Sequence, residues 1–127
     1  MLTTFAAILF AVLALGVVAF QVALAAGAPW GEFTLGGRYR GALPHPVRPI
    51  PVVSAILLAA FAAVVLARAG IAFSGIMAAS SYLVWVVVAY CTAGALANYI
   101  TPSRRERAIW FPVVMVMLAS SAIVAMS

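Results

Sequence analysis

The sequence predicts an all-α membrane protein, a bundle of four transmembrane helices that forms a single integral membrane domain over residues 1–127. Hydrophobic residues make up 68% of the chain and charged residues only 7%, whereas an average soluble domain is about 25% charged. The apolar residues form four long segments, and all seven basic residues are arginines that lie in the gaps between them. A soluble fold of this length could not bury so much apolar surface, so the expected solvent is a lipid bilayer.

The first helix is predicted over residues 2–26, a stretch without a charge that exceeds the roughly 20 residues needed to cross the hydrocarbon core. A cleaved signal peptide is the competing interpretation, because Ala23-Leu24-Ala25 resembles a small-x-small cleavage site. The absence of a basic residue before the apolar run, and its length, favour a retained helix. Gln21 is the one strongly polar side chain of this helix, and we expect it to bond a neighbouring helix rather than a ligand.

The loop over residues 27–49 is rich in glycine and proline and contains the only histidine, His45. In its centre, Gly36 and Gly37 separate two short segments, which predicts a short β-hairpin because glycine readily supplies the positive φ angles of a two-residue turn. The favoured interpretation is a structured connector on the end of the bundle. The alternatives are a lid or a site for anionic lipid headgroups. The loop and headgroup candidates are Trp30, Gly36, Gly37, Arg38, Arg40 and Arg48.

The second helix is predicted over residues 50–67, with Ala55, Ala59, Ala63 and Ala67 at every fourth position. In lipid, such a stripe of small residues lets another helix backbone approach closely. The connection that follows is only Arg68, Ala69 and Gly70. A connection this short makes the second and third helices an antiparallel pair.

The third helix is predicted over residues 71–100, which is too long for a perpendicular span, so it should be tilted or begin outside the core. It carries a second alanine stripe at Ala89, Ala93 and Ala97. Together with Gln21, the intramembrane polar candidates are Ser80, Ser81, Tyr82, Tyr90, Thr92 and Asn98. A polar cavity is one interpretation of them; hydroxyls that bond their own helix are the favoured one.

The fourth helix is predicted over residues 108–126. Ser103 and Glu106 have the spacing of a capping box, which would start a helix earlier, near Arg104. Pro112 then requires either a kink or a helix start near Ile109. Glu106 stands between arginines, so we expect a solvated surface ion pair of little energetic weight.

The arginines also predict the orientation of the chain. The first and third loops hold six of the seven arginines, and the opposite side holds only Arg68. The positive-inside rule therefore places both arginine-bearing loops in the cytoplasm and both termini outside, in a bacterial inner membrane.

Two motifs carry a resemblance to a protein family. The first comprises Ala28-Pro29-Trp30-Gly31, Gly36-Gly37, Gly41, Leu43-Pro44 and Arg48, and the second comprises Ser103-Arg104-Arg105-Glu106-Arg107, Trp110 and Pro112. Over nearly its whole length the chain resembles a family of uncharacterised small bacterial four-helix integral membrane proteins. The resemblance implies the four-span fold and a shared surface for the two loops. It implies no activity, substrate or cofactor.

Several classes of function lack the residues they need. No Asp, Glu, Lys, Arg or His lies inside a predicted span, which disfavours a proton-driven exporter. The chain has no Asp, and its one cysteine, Cys91, lies in a span, so neither a catalytic set nor a metal site can be assembled. We expect no cofactor, and the arginines are topological charges rather than a nucleic-acid surface.

The expected function is therefore that of a small multi-pass membrane component without catalytic chemistry, which self-associates or joins a larger membrane complex through its alanine faces. The expected partners are the lipid bilayer and either further copies of the chain or another membrane protein. The alternatives are a small oligomeric transporter or channel for an uncharged or anionic solute, and a lipid-headgroup-binding protein. An enzyme acting on lipid is the least favoured interpretation.

Overall fold

The computed structural model describes all 127 residues and contains four α-helices and no β-strand. The helices are α1 (Leu2–Ala25), α2 (Pro49–Arg68), α3 (Met77–Ile100) and α4 (Arg104–Ala125). All four are long and apolar enough to cross a membrane. The prediction of an all-α chain with four helices of membrane-spanning length is confirmed.

The four helices form an up-and-down bundle in which each helix packs against its two neighbours and the diagonal contacts are slight. Residues 26–48 and 101–103 meet at one end, which we call the loop end. Residues 69–76 and both chain termini lie at the opposite end, which we call the terminal end. There the hydroxyls of Thr3 and Ser127 lie 2.6 Å apart, and Arg68 donates to the main-chain oxygen of Ser127.

The two ends of the bundle are packed differently. Most of the buried core lies towards the terminal end, where all four helices contribute small and branched side chains; it includes Ala6, Ala7, Phe10, Val64, Val65, Val84, Val87, Val124 and Ala125. Three buried serines lie in the same region, Ser80, Ser120 and Ser121. Each donates to a carbonyl of its own helix, so none is left without a partner.

Helix α3 begins at Met77, six residues later than the predicted start at Ile71. The reason is Phe73, which has a left-handed backbone (φ 58°) and therefore cannot continue a right-handed helix. A 3₁₀ turn over Ser74–Ile76 then leads into α3. The apolar residues 71–76 are thus a connector, and α3 is 24 residues long.

Helix α4 begins at Arg104, about one turn before the predicted start at residue 108. The Ser103 hydroxyl oxygen accepts the main-chain N–H of Glu106 at 3.2 Å, which confirms the helix start that the capping-box spacing indicated. Pro112 lies inside the helix. One carbonyl of the preceding turn therefore has no helical donor.

The predicted β-hairpin in the first loop is wrong. The segment instead forms two 3₁₀ turns, Gly31–Phe33 and Leu35–Gly37, and a third follows at His45–Val47. Gly36 and Gly37 do adopt positive φ angles, 70° and 74°, but Leu35 before them does so as well, at 50°. Three such residues in succession coil the backbone. The loop consequently forms hydrogen bonds to α4 and its cap in addition to the short-range bonds within its own turns.

Candidate functional site

The first loop is fastened over the beginning of α4 by side chains of that helix and its cap. The Ser103 hydroxyl donates to the carbonyl oxygen of Glu32 at 3.0 Å. The indole N–H of Trp110 donates to the carbonyl oxygen of Phe33 at 2.8 Å. Arg105 forms an ion pair with the Glu32 carboxylate at 2.7 Å. These contacts hold the loop as a cover across the bundle end.

Glu106 is the central residue of this cover and is only 8% exposed. Its carboxylate oxygen Oε2 accepts the main-chain N–H of Gly36 at 3.0 Å. The expected surface ion pair is wrong, because Arg105 pairs with Glu32 instead and no arginine forms an ion pair with Glu106. A position in the first turn of α4 directs this side chain under the loop, where the Gly36 amide and the positive end of the helix dipole offset its charge.

Gly31 closes the loop at a point where no larger residue fits. Its main-chain N–H donates to the carbonyl oxygen of Gly41 at 2.8 Å. A Cβ atom at Gly31 would lie 2.1 Å from the carbonyl oxygen of Tyr39 and 2.7 Å from that of Gly41. The requirement for glycine here is steric, since the chain returns directly against the Gly31 backbone.

Beneath the cover lies a half-open cavity of about 550 Å³ that all four helices line. Its wall is mainly apolar, with Val17, Leu58, Val114 and Met117 among the contributors. The polar side chains on the wall are Gln21, Thr34, Ser54, Tyr90, Asn98, Thr101 and Glu106. Phe33, Leu35 and Gly36 of the first loop close the cavity from the loop end.

The cavity has a polar end and an apolar end. Gln21, Asn98 and Glu106 each lie within about one turn of a helix terminus at the loop end. Val114 and Met117 lie progressively deeper along α4. The eleven-residue separation of Glu106 and Met117 corresponds to about 16 Å along the helix axis. The site is therefore amphiphilic along its length.

Two amides on the polar end have unused hydrogen-bonding capacity. The half-buried side chain of Gln21 has no protein partner, so the expected bond from Gln21 to a neighbouring helix is not formed. The Asn98 side-chain nitrogen donates to the carbonyl oxygen of Gly94 at 2.7 Å, which leaves its carbonyl oxygen free. Both groups can bind a molecule in the cavity.

The remaining polar candidates of α3 do not form a pathway. The hydroxyls of Ser80, Ser81 and Thr92 donate to carbonyls of their own helix. Tyr82 is 79% exposed on the outer surface of the bundle. Only Tyr90 and Asn98 of this set line the cavity. The structure therefore offers no continuous row of hydroxyls for an uncharged solute.

The structure separates the loop candidates into two groups. The Gly36 amide is bonded to Glu106, the Gly37 amide donates to the carbonyl oxygen of Thr34 at 2.9 Å, and the Arg48 Nε atom donates to that of Leu43 at 2.9 Å. These groups hold the loop together, so the two glycine amides are not free to bind an anion. Three candidates remain accessible, namely Trp30, Arg38 and Arg40.

Trp30 and Arg38 both interact with aromatic rings at the loop surface. Trp30 stacks on Phe20, with ring centroids 6.1 Å apart. Arg38 lies over the ring of Tyr39, 5.6 Å from its centroid. Neither Arg38 nor Arg40 has an acidic partner. These two arginines therefore present positive charge at the loop surface without an acidic partner.

Residues that could bind a metal are dispersed, since no three His, Cys, Asp or Glu side chains form a group that could hold an ion.

No known protein family, curated protein or solved structure matches the chain. The features of the chain that bear on its function are therefore the cavity, the loop cover and the outer faces of the helices.

Proposed function

We propose that this chain is a non-enzymatic membrane component that self-associates through the outer face of α3, in a bacterial inner membrane. That face carries small and hydroxyl-bearing residues which the bundle leaves uncovered, including Ala89, Thr92 and Ala93. In lipid, helices associate where small residues permit close approach of their backbones. The exposed alanines of α3 are the single observation that carries the proposal.

A comparison with α1 supports the choice of face. The exposed side of α1 presents bulky residues at regular intervals, among them Phe5, Val12 and Leu15. Such side chains suit contact with acyl chains. The α2 alanine stripe is less available, because two of its four members, Ala55 and Ala67, are buried within the bundle. On α3, the small residues Ala89, Thr92 and Ala93 lie between the exposed bulky residues Val86 and Leu96, so this segment remains the best candidate for contact with a second copy of the chain.

The test is the association state of the purified protein in mild detergent, measured by sedimentation equilibrium. The double substitution Ala89→Leu and Ala93→Leu should weaken self-association about tenfold, equivalent to about 1.4 kcal/mol. Ala59→Leu is the matched control, since Ala59 is an exposed alanine on α2. Loss of association in the control alone, or in neither variant, would reject the α3 face. Recovery of a stoichiometric partner with monomeric protein would replace self-association by complex formation.

The proposal includes the orientation with both termini outside and the two arginine-bearing loops in the cytoplasm. Six of the seven arginines lie at the loop end, which supports this orientation by the positive-inside rule. In a Cys91→Ala background, single cysteines at Arg40 and Arg105 should react with an impermeant thiol reagent only after the cells are opened. A cysteine at Gly75, at the other end, should react in intact cells. The reverse pattern would invert the orientation.

A second candidate function is the binding of anionic lipid headgroups, and the specific observation that favours it is the exposure of Arg38 and Arg40 without acidic partners. Basic side chains near a membrane surface attract anionic lipids by about 1 kcal/mol each. Anionic phospholipid should therefore raise the thermal midpoint of the detergent-solubilised protein. Changing both arginines to Gln should remove most of that rise, while Arg68→Gln, at the terminal end, should leave it intact. An unchanged rise in the double variant would discard the candidate.

A further inference from the structure

We propose that the cavity beneath the loop cover binds one single-chain amphiphile whose head donates hydrogen bonds and carries no negative charge, either an alcohol or an amine. The head lies at the polar end, against Gln21, Asn98 and Glu106, and the chain extends towards Met117. This is a ligand site inside each bundle, distinct from the outer face through which copies associate.

The size and lining of the cavity favour an apolar occupant. A volume of about 550 Å³ falls within the range of roughly 300–1,000 Å³ that small-molecule sites occupy. An apolar wall such as that formed by Val17, Leu58 and Val114 gives water few partners, so the deep half is a poor site for solvent. An alkyl chain fills it with favourable contacts.

The polar end selects the chemistry of the head. It presents the Glu106 carboxylate and the Asn98 carbonyl oxygen, both of which are hydrogen-bond acceptors, and the free amide of Gln21. No arginine lines the cavity. A carboxylate or phosphate head would therefore meet the charge of Glu106 without a compensating cation. A hydroxyl or an amine finds acceptors instead.

The structure also indicates the route of access. The loop residues Phe33 and Leu35 close the cavity at the loop end. The smallest interface between neighbouring helices is that between α2 and α3. On these helices Ser54 and Ala97 line the cavity, and the ring centroids of Phe61 and Tyr90 lie 4.9 Å apart. The ligand therefore enters sideways from the bilayer, past Ala97.

The experiment uses the full chain in nanodiscs, with Trp30→Phe and Trp85→Phe so that Trp110 on the cavity wall is the only tryptophan. Dodecanol brominated on its chain is the probe, because bromine quenches a tryptophan that it contacts. Quenching of Trp110 should saturate. A matched protein that retains only Trp85, which is 51% exposed on the outer surface, should show simple partition without saturation. Equal, unsaturable quenching in both proteins would overturn the proposal.

Competition with unlabelled compounds tests the head. Dodecanol and dodecylamine should displace the probe at least tenfold more effectively than dodecanoate of the same chain length. Glu106→Gln, which keeps an acceptor for the Gly36 amide, should improve displacement by dodecanoate at least tenfold. Displacement by dodecanoate as effective as that by dodecanol in the unaltered cavity would reject the predicted head chemistry.

A filling substitution tests the location. Ala97→Leu places extra volume on the cavity wall and should weaken probe binding at least tenfold. Ala59→Leu, on α2 and outside the cavity, is the matched control and should leave probe binding unchanged. Equal affinity in Ala97→Leu and the unsubstituted protein would place the probe elsewhere and overturn the proposal.

Discussion

The Glu106 carboxylate oxygen Oε2 lies 3.0 Å from the amide nitrogen of Gly36, which is 70 residues earlier in the chain. This bond is one of four contacts that join the first loop to the start of α4, and it holds the only buried carboxylate at the loop end of the cavity. The Glu106 side chain therefore has both a structural role, as acceptor for the Gly36 amide, and a proposed ligand-binding role. Substitutions that preserve one role and remove the other can distinguish the two.

Glu106→Ala should destabilise the protein by about 1–3 kcal/mol, the usual cost of leaving a buried polar group without its partner. The Gly36 amide then has no acceptor, so its hydrogen exchange should accelerate. The thermal midpoint in mild detergent and the exchange rate of Gly36 measure the two effects. Glu106→Gln should preserve both values, and an equal loss in the Gln variant would contradict the assigned bond.

Gly31→Ala should disrupt the loop, because the added Cβ would lie 2.1 Å from the Tyr39 carbonyl oxygen. A backbone atom cannot move away as a flexible side chain could, so the loop backbone around residue 31 must change conformation. Limited proteolysis within residues 27–48 is the measurement. Gly16→Ala is the control, since nothing lies within 4 Å of its Cβ position. This control should be neutral or stabilising by up to about 1 kcal/mol in a helix.

Ser103→Ala should lower stability more than the loss of an ordinary helix cap, which costs about 1 kcal/mol. The hydroxyl both accepts the Glu106 N–H and donates to the Glu32 carbonyl, so its removal weakens α4 and the loop together. Ser81→Ala should have little effect, because that hydroxyl only bonds a carbonyl of its own helix. Comparable midpoints for the two variants in thermal unfolding would refute the dual role.

Trp110→Phe should loosen the loop while leaving the bundle folded. It removes the bond from the indole N–H to the Phe33 carbonyl oxygen, worth about 0.5–1.5 kcal/mol. Most of the ring contact with Phe20, at 4.7 Å between centroids, should be retained. Hydrogen exchange should rise at residues 31–37 and stay unchanged in the core around Val65 and Val84. A uniform increase across all four helices would argue against a local role.

The helices could be predicted from sequence because an apolar run without charges has few alternatives in lipid. The start of α3 could not, since Ile71 and Phe73 are as apolar as the helix that follows. Nothing in their composition indicates the left-handed backbone at Phe73. Conversely, the Ser103–Glu106 spacing did identify the start of α4, because a cap is a local interaction.

The loop cover and the cavity could be predicted less well from the sequence than the helices. Gly36-Gly37 correctly indicated positive φ angles, but the choice between a hairpin and 3₁₀ turns depends on the partner of the Gly36 amide, and that partner is 70 residues away. The sequence context of Glu106 is misleading for a related reason. Its neighbours in sequence are arginines, whereas its position on α4 points it beneath the loop. The cavity itself depends on all four helices at once and has no local signature.

The dense packing at the terminal end has a consequence for the insulating property of the membrane. Phe10, Val65, Val84 and Val124 fill the bundle axis there with side chains, and the buried serines beside them are already bonded to carbonyls. A proton or ion that reached the cavity would find no chain of free hydrogen-bonding groups leading to the terminal end. Across a membrane, such a bundle would keep its cavity open towards one face while the packed half separates that cavity from the opposite face.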